Sequence, residues 1–102
     1  MNDIALASPI RLKTDTLIKN RLFKSAMSEQ LADRHHNPGT GIVNLYQRWA
    51  EGGIGLCMTG NLMVDRHQLG EPRNVVLDEK SDLEQFKKWA KAGSKNNCQL
   101  WA

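Results

Sequence analysis

The segment from Gly52 to Thr59 constrains the fold of this chain most strongly. It reads Gly-Gly-Ile-Gly-Leu-Cys-Met-Thr, a short run that is apolar almost throughout and begins among glycines. This pattern is typical of a strand that is buried on both faces, as in a parallel sheet. Parallel strands are joined by a crossover connection, which is usually a helix, so we expect a helix next to this strand.

A helix is predicted directly before this strand, over residues 41–51. Its apolar side chains recur at i, i+3, i+4 and i+7, which places them on one helical face: Ile42, Leu45, Tyr46 and Trp49. Gly52 and Gly53 are predicted to end the helix, because glycine adopts the left-handed cap conformation without a Cβ penalty.

The remaining elements follow the same alternation. Residues 22–26 and 98–102 are predicted strands, and residues 8–12 and 16–18 are predicted to form a small hairpin around residues 13–15. A polar loop is expected over residues 65–72. A second amphipathic helix is predicted over residues 82–93, with a capping box in residues 81–84 and an apolar face of Leu83, Phe86, Trp89 and Ala90.

This order predicts an α/β fold with three parallel strands, neighbours in the order first, second, third. A (β/α)₈ barrel and a doubly wound sheet both begin in this way, and periodicity alone does not separate them. The apolar run at residues 98–102 reads as a strand interrupted in its middle. We therefore expect residues 1–102 to be the N-terminal part of a single larger domain that is incomplete at the C-terminus.

Composition narrows the functional classes. The net charge is +3, and the 14 Lys and Arg residues are scattered, which does not predict a nucleic-acid surface. Cys57 and Cys98 each lie in an apolar run, as reduced cysteines do in a cytoplasmic protein. Residues 1–4 lack the basic region of a secretion signal, and no apolar run approaches the ~20 residues of a membrane span.

The glycines of residues 52–55 and the histidines resemble ligand-binding motifs, but their sequence context does not support that function. The glycines of residues 52–55 close a helix and enter a strand, whereas a dinucleotide-binding loop follows a strand and opens a helix. His35 and His36 have no further ligands at a suggestive spacing, so we predict no metal site. His67 follows a predicted strand; in a barrel, loops after strands form the active face, but we interpret this segment as a plain polar loop. We assign no catalytic residue within the chain.

Residues 25–28 are the best candidate for a ligand contact. They end a predicted strand with small side chains, one flexible apolar side chain and a hydroxyl. Small residues let a flat ring approach the backbone, whose polar groups then reach the edge of the ring while Met27 packs on its face. On physical grounds alone this signal is weak.

Four segments together resemble the old yellow enzymes and their bacterial NADH:flavin oxidoreductase relatives. They occur in the family's order and spacing: Ser8-Pro9-Ile10 with Lys19-Asn20-Arg21-Leu22, Ser25-Ala26-Met27-Ser28, Tyr46 through Gly55, and Met58-Thr59-Gly60-Asn61. The resemblance implies the N-terminal portion of a (β/α)₈ TIM barrel preceded by a short β-hairpin. It also implies FMN held at the carboxyl ends of the strands.

The resemblance assigns cofactor-binding roles residue by residue. The residues that it implies are Ser25, Ala26, Met27, Ser28, Gly60 and Asn61. The family more often has proline where Ala26 stands, and often cysteine or threonine where Ser28 stands. It carries a flavin-binding glutamine on its third strand that would follow Ala102, so Gln99 does not inherit that role.

The implied function is an FMN-dependent oxidoreductase that reduces activated C=C bonds, in enones or dienoyl thioesters, with electrons from NADH or NADPH. The chain alone is expected to be inactive, since it supplies only part of the flavin site. The implied partner is a small activated alkene, with no nucleic acid or membrane, and an oligomer stays open. Two alternatives remain: a non-catalytic α/β fragment or interaction domain, and a different (β/α)₈ enzyme such as a phosphate-binding lyase.

Overall fold

The computed structural model describes residues 5–102, so the sequence prediction for residues 1–4 lies outside the described residues. Two short strands, β1 (Ile10–Arg11) and β2 (Leu17–Ile18), pair antiparallel. The chain then enters β3 (Phe23–Lys24), α1 (Thr40–Glu51) and β4 (Leu56–Met58). A segment with two further short strands, β5 and β6, described below, connects β4 to α2 (Leu83–Gly93). A short 3₁₀ turn then leads to β7 (Gln99–Trp101).

The central sheet has the predicted topology. β3 pairs parallel with β4, and β4 pairs parallel with β7, so the strand order in space is the order in the chain. The strands are shorter than predicted, because ladder pairing ends at Lys24 on the first strand and at Met58 on the second.

One face of this sheet is covered and the other is open. Lys24, Cys57 and Leu100 are cross-strand partners and lie on the face covered by the helices. α1 and α2 pack on each other, and Tyr46 meets Trp89 edge-on with ring centroids 5.3 Å apart. The alternate residues point the other way, and among them Phe23 and Trp101 are 52% and 37% exposed.

The predicted C-terminal end of α1 is confirmed, whereas the predicted N-cap of α2 is corrected. Gly53 follows α1 with a φ of +107°, the left-handed conformation expected after a helix. Asp82, and not Ser81, is the N-cap of α2, since its carboxylate accepts a hydrogen bond from the Glu84 N–H. The Ser81 hydroxyl is engaged elsewhere, on the Val76 carbonyl.

The predicted apolar face of α1 is confirmed, whereas that of α2 is only half right. Trp89 is buried and Phe86 packs against the core, but Leu83 is 62% exposed and Ala90 is also exposed. The fully buried residues of α2 are Trp89, Ala92 and Gly93, which all lie in its second half.

The segment between β4 and α2 contains a strand pair that the sequence did not reveal. β5 (Leu62–Met63) pairs parallel with β6 (Val75–Val76), and the predicted loop at residues 65–72 connects them. We call residues 62–77 the excursion. Arg66, within the excursion, donates two hydrogen bonds to the carboxylate of Asp78, the residue that follows the excursion, at 3.0 and 2.8 Å.

Asn20, which precedes β3, contacts the glycines between α1 and β4. The Asn20 side-chain amide donates to the Gly53 carbonyl at 2.6 Å, and its carbonyl oxygen accepts from the Leu22 N–H at 3.1 Å. Gly55 passes so close that an added Cβ would collide with the Asn20 backbone. The glycines of residues 52–55 therefore serve helix termination and strand entry, as the sequence indicated.

No helix among residues 5–102 combines the length and the apolar character that crossing a membrane requires. Within the same residues, no cluster of three or more His, Cys, Asp or Glu side chains is arranged to hold a metal ion.

Candidate functional site

The candidate site lies where the carboxyl ends of β3 and β4 meet. Residues 25–28 continue directly from Lys24, and Gly60 and Asn61 follow β4 after Thr59. Because β3 and β4 are parallel neighbours, both segments leave the sheet at the same edge. The third strand ends beside them, since the Thr59 N–H donates to the Trp101 carbonyl at 2.8 Å.

The two segments are in backbone contact. A Cβ placed on Gly60 would overlap the Met27 carbonyl oxygen and lie 2.6 Å from a Glu29 carboxylate oxygen. No other residue type fits here without displacement of the neighbouring backbone. The structure thus brings together the residues that the sequence singled out at the ends of two different strands.

The exposed part of this site suits a flat ring. Ser25, Ala26 and Ser28 are small and exposed, and Met27 is 59% exposed although it is apolar. Two backbones in contact, small side chains and one flexible apolar side chain fit the contact surface of an isoalloxazine. Gly60 itself is buried, and its N–H is already bonded to the Tyr46 hydroxyl at 2.9 Å.

The excursion closes over the outer edge of the site. The buried Asn74 amide donates to the Ser28 hydroxyl oxygen at 3.4 Å, and the Asn61 amide donates to the Glu71 carboxylate at 3.3 Å. Gln30 donates to the other oxygen of Glu71 at 3.0 Å. Sequence reasoning missed Glu71 and Asn74, because they lie in the connection between two strands that are too short to leave a periodic signal.

A buried polar cluster lies behind the site, between the sheet and α1. Tyr46 is fully buried, and its hydroxyl donates to the Glu29 carboxylate at 2.8 Å. Burial raises the pKa of this hydroxyl well above its usual value, so it remains a proton donor. Sequence reasoning placed Tyr46 on the apolar face of α1, but a buried tyrosine hydroxyl requires a polar partner. That requirement was the available signal.

Lys24 completes this cluster. Its ammonium group donates to the Met58 carbonyl at 2.9 Å and lies 4.0 Å from a Glu29 carboxylate oxygen. It also lies 4.6 Å from the centroid of the Trp49 ring, within the range of a cation–π interaction. The side chains of Lys24 and Glu29 are only 12% and 8% exposed.

The histidines lie outside residues 25–28 and 60–61, although His36 contacts the excursion. His67 is exposed at the tip of the excursion, where its N–H donates to the Asp65 carboxylate at 2.9 Å. His36 lies in a loop and contacts the Asn74 carbonyl through Nδ1 at 3.1 Å. The structure therefore supports the polar-loop interpretation of His67.

Known proteins match this chain over nearly its whole length. It is 35% identical over 95 residues to the NADH-dependent flavin oxidoreductase iliE of Hypocrea jecorina, covering 89% of this chain and 24% of that protein. It is 40% identical over 70 residues to the NADH-dependent flavin oxidoreductase iccE of Talaromyces variabilis, covering 69% of this chain and 17% of that protein. No family model matches the chain.

Two solved structures of old yellow enzymes have a fold similar to that of this chain. The old yellow enzyme homologue from Zymomonas mobilis superposes with a TM-score of 0.79 at 20% identity, covering 94% of this chain and 26% of that one. The old yellow enzyme from Trypanosoma cruzi gives a TM-score of 0.80 at 21% identity, covering 93% of this chain and 25% of that one.

The chain thus has the α/β fold of one part of an old yellow enzyme. In sequence it is similar to NADH-dependent flavin oxidoreductases, and in fold it is similar to old yellow enzymes, which confirms the resemblance seen in its motifs. It spans about a quarter or less of the length of these relatives.

Proposed function

We propose that residues 1–102 are the N-terminal part of an FMN-dependent oxidoreductase, and that residues 25–28 with Gly60 and Asn61 form one wall of its flavin site. The observation that carries this proposal is the backbone contact between residues 25–28 and Gly60 at the carboxyl ends of adjacent parallel strands. In barrel enzymes the active site is built at this end of the strands.

The open face of the sheet supports a barrel. Phe23 and Trp101 lie on the face that α1 and α2 leave uncovered, and both remain substantially exposed. Apolar side chains on a parallel sheet are normally covered on both faces. In the proposed (β/α)₈ barrel, the remaining strands close over them, and the pair β1 and β2 precedes the barrel.

The proposed reaction is the reduction of an activated C=C bond, as in an enone or a dienoyl thioester, with electrons from NADH or NADPH. Bound FMN would supply the hydride chemistry. Residues 25–28 would orient the ring: Met27 packs against its face, and the Ser28 hydroxyl reaches its polar edge. The names of the relatives support a flavin and a nicotinamide donor.

Purification of the full-length protein tests this proposal. We expect bound flavin that is released on denaturation, identified as FMN by mass, and bleached by NADH or NADPH without oxygen. Met27→Glu places a charge on the proposed contact, and Leu83→Glu changes a side chain of similar exposure, 62% against 59%, on α2. We expect Met27→Glu to lose flavin and Leu83→Glu to retain it.

Two outcomes would point elsewhere. Protein that folds without any flavin, and does not bind added FMN, would favour a different (β/α)₈ enzyme or a non-catalytic role. Equal flavin content in Met27→Glu and Leu83→Glu would place the cofactor away from residues 25–28.

A further inference from the structure

Lys24 and Glu29 flank the proposed flavin-contacting residues in the sequence, and the structure joins them to each other. Their charged groups lie 4.0 Å apart behind the sheet, although four residues of irregular chain separate them. Residues 25–28 are thus the part of the chain that lies between the two members of a buried ion pair. A loop closed at its base in this way has few alternative conformations.

Both members of the pair also reach the second strand. Lys24 donates to the Met58 carbonyl at 2.9 Å, the last residue of β4. Glu29 accepts from Tyr46 at 2.8 Å, and the same hydroxyl accepts from the Gly60 N–H at 2.9 Å. The hydroxyl therefore uses its proton toward one segment and a lone pair toward the other.

We propose that Lys24, Glu29 and Tyr46 form a positioning clamp that sets the spacing between residues 25–28 and Gly60. This inference rests on the proposed flavin function. The three residues do not contact the ring; they act through the backbone that does. A buried ion pair is costly to form and contributes little net stability unless its geometry and hydrogen bonds are good. Because the pair lies at the base of residues 25–28, we expect it to set the position of this loop and the electrostatic potential at the flavin.

The charges provide a test that a purely structural role would not pass. Reduction adds electrons to the flavin, so a nearby positive charge favours the reduced state and a negative charge opposes it. Lys24→Met leaves the Glu29 carboxylate unpaired, and Glu29→Gln leaves the Lys24 ammonium unpaired. We therefore expect the midpoint potential of the full-length protein to fall in Lys24→Met and to rise in Glu29→Gln.

The expected size is a tenfold change in the ratio of reduced to oxidised flavin at a fixed potential, which is about 30 mV for a two-electron couple. The double variant Lys24→Met with Glu29→Gln should return toward the wild-type potential. Lys87→Met and Glu84→Gln are matched controls, since they form an exposed Lys–Glu pair on α2 at 3.2 Å. They should leave the potential unchanged.

Tyr46→Phe tests the hydrogen-bonded part of the clamp. It keeps the ring in the core and removes only the hydroxyl that joins Glu29 to Gly60. We expect FMN to bind the flavin-free protein at least tenfold more weakly, measured by fluorescence titration. Ile18→Ala, a buried change on β2, controls for a general loss of stability and should bind FMN as the wild type does.

The results separate the clamp from the proposed function. Shifts of the same sign in Lys24→Met and Glu29→Gln, or no shift in either, would overturn the clamp while flavin remained bound. Unchanged FMN affinity in Tyr46→Phe would do the same. Wild-type protein that binds no flavin would instead overturn the proposed function.

Discussion

The side-chain amide of Asn74 donates to the hydroxyl oxygen of Ser28 across a sequence separation of 46 residues, at 3.4 Å. A serine hydroxyl has one proton to donate, and Asn74 occupies only an acceptor position on its oxygen. The Ser28 proton therefore stays free for an acceptor on the exposed side of the loop. The excursion thus orients the hydroxyl that we propose to lie at the polar edge of the flavin.

Replacing Ser28 with alanine is expected to lower the midpoint potential of bound flavin by roughly 10–30 mV. The lost hydrogen bond contributes roughly 0.5–1.5 kcal/mol net, and 30 mV corresponds to about 1.4 kcal/mol for two electrons. Potentiometric titration of the full-length protein measures this shift. Ser94→Ala, a change at an exposed serine after α2, is the control and should leave the potential unchanged. An unchanged potential in Ser28→Ala would separate Ser28 from the ring.

Gly60→Ala is expected to destabilise the protein by about 1–3 kcal/mol or more, because the new methyl group overlaps the Met27 carbonyl and the Glu29 carboxylate. Flavin content should fall with it. Gly41→Ala is the control, since an added Cβ meets nothing within 4 Å in the first turn of α1. It should stabilise by roughly 0.4–1 kcal/mol. Denaturant unfolding of both variants compares them, and equal stabilities would contradict the close contact at Gly60.

Asp78 is expected to make the stability of the protein sensitive to acid. The hydrogen bonds from Arg66 lower the pKa of Asp78 from 3.8 to about 2. A carboxyl group whose pKa is lower in the folded state stabilises the fold above its unfolded pKa, and this contribution is lost as the pH falls through the folded pKa. The stabilisation by Asp78 is therefore complete above about pH 4 and disappears toward pH 2.

Thermal unfolding of wild type and Asp78→Asn between pH 2 and 6 measures this effect. The difference in melting temperature should be largest near pH 6 and should shrink between pH 4 and pH 2. Glu84→Gln, in an exposed ion pair, should show little difference at any pH. A difference for Asp78→Asn that does not change with pH would refute the linkage.

Expressed alone, residues 1–102 are expected to self-associate and to unfold without a sharp transition. The accessible surface is 6812 Å², whereas a compact monomer of 11.5 kDa exposes roughly 5,800 Å². The excess includes apolar side chains on strands, such as Phe23 and Trp101, beside an unpaired strand edge. Sedimentation and denaturant titration check this, and a monomeric, cooperative transition would contradict it.

The topology could be predicted because each element has its own local signal. The apolar run around Cys57, the helical face of Ile42 and Tyr46, and the glycines that follow α1 are all short-range patterns. Local patterns were enough to place the ends of β3 and β4 side by side. The small side chains of residues 25–28 mark them at a strand end, whereas Gly60 is indicated only by the resemblance to a known family.

The interactions that cross between elements could not be read in the same way. β5 and β6 have two residues each, too few for a period, and Asp82 competes with Ser81 for the cap of α2. The pairing of Lys24 with Glu29 leaves no signal in the sequence, since nothing in a sequence tells which charges a helix will cover. Leu83 and Ala90 were misplaced because the packing angle of α2 on α1 decides which residues it buries.

The strand order of the central sheet has a consequence for synthesis. Within residues 5–102, each strand of the central sheet pairs with the preceding strand of that sheet, β4 with β3 and β7 with β4. A chain that leaves the ribosome from its N-terminus can add each strand–helix unit to an edge that is already exposed. Lys24, Glu29, Tyr46 and Gly60 are all translated before β7, so the base of the proposed site can assemble while later strands are still being made.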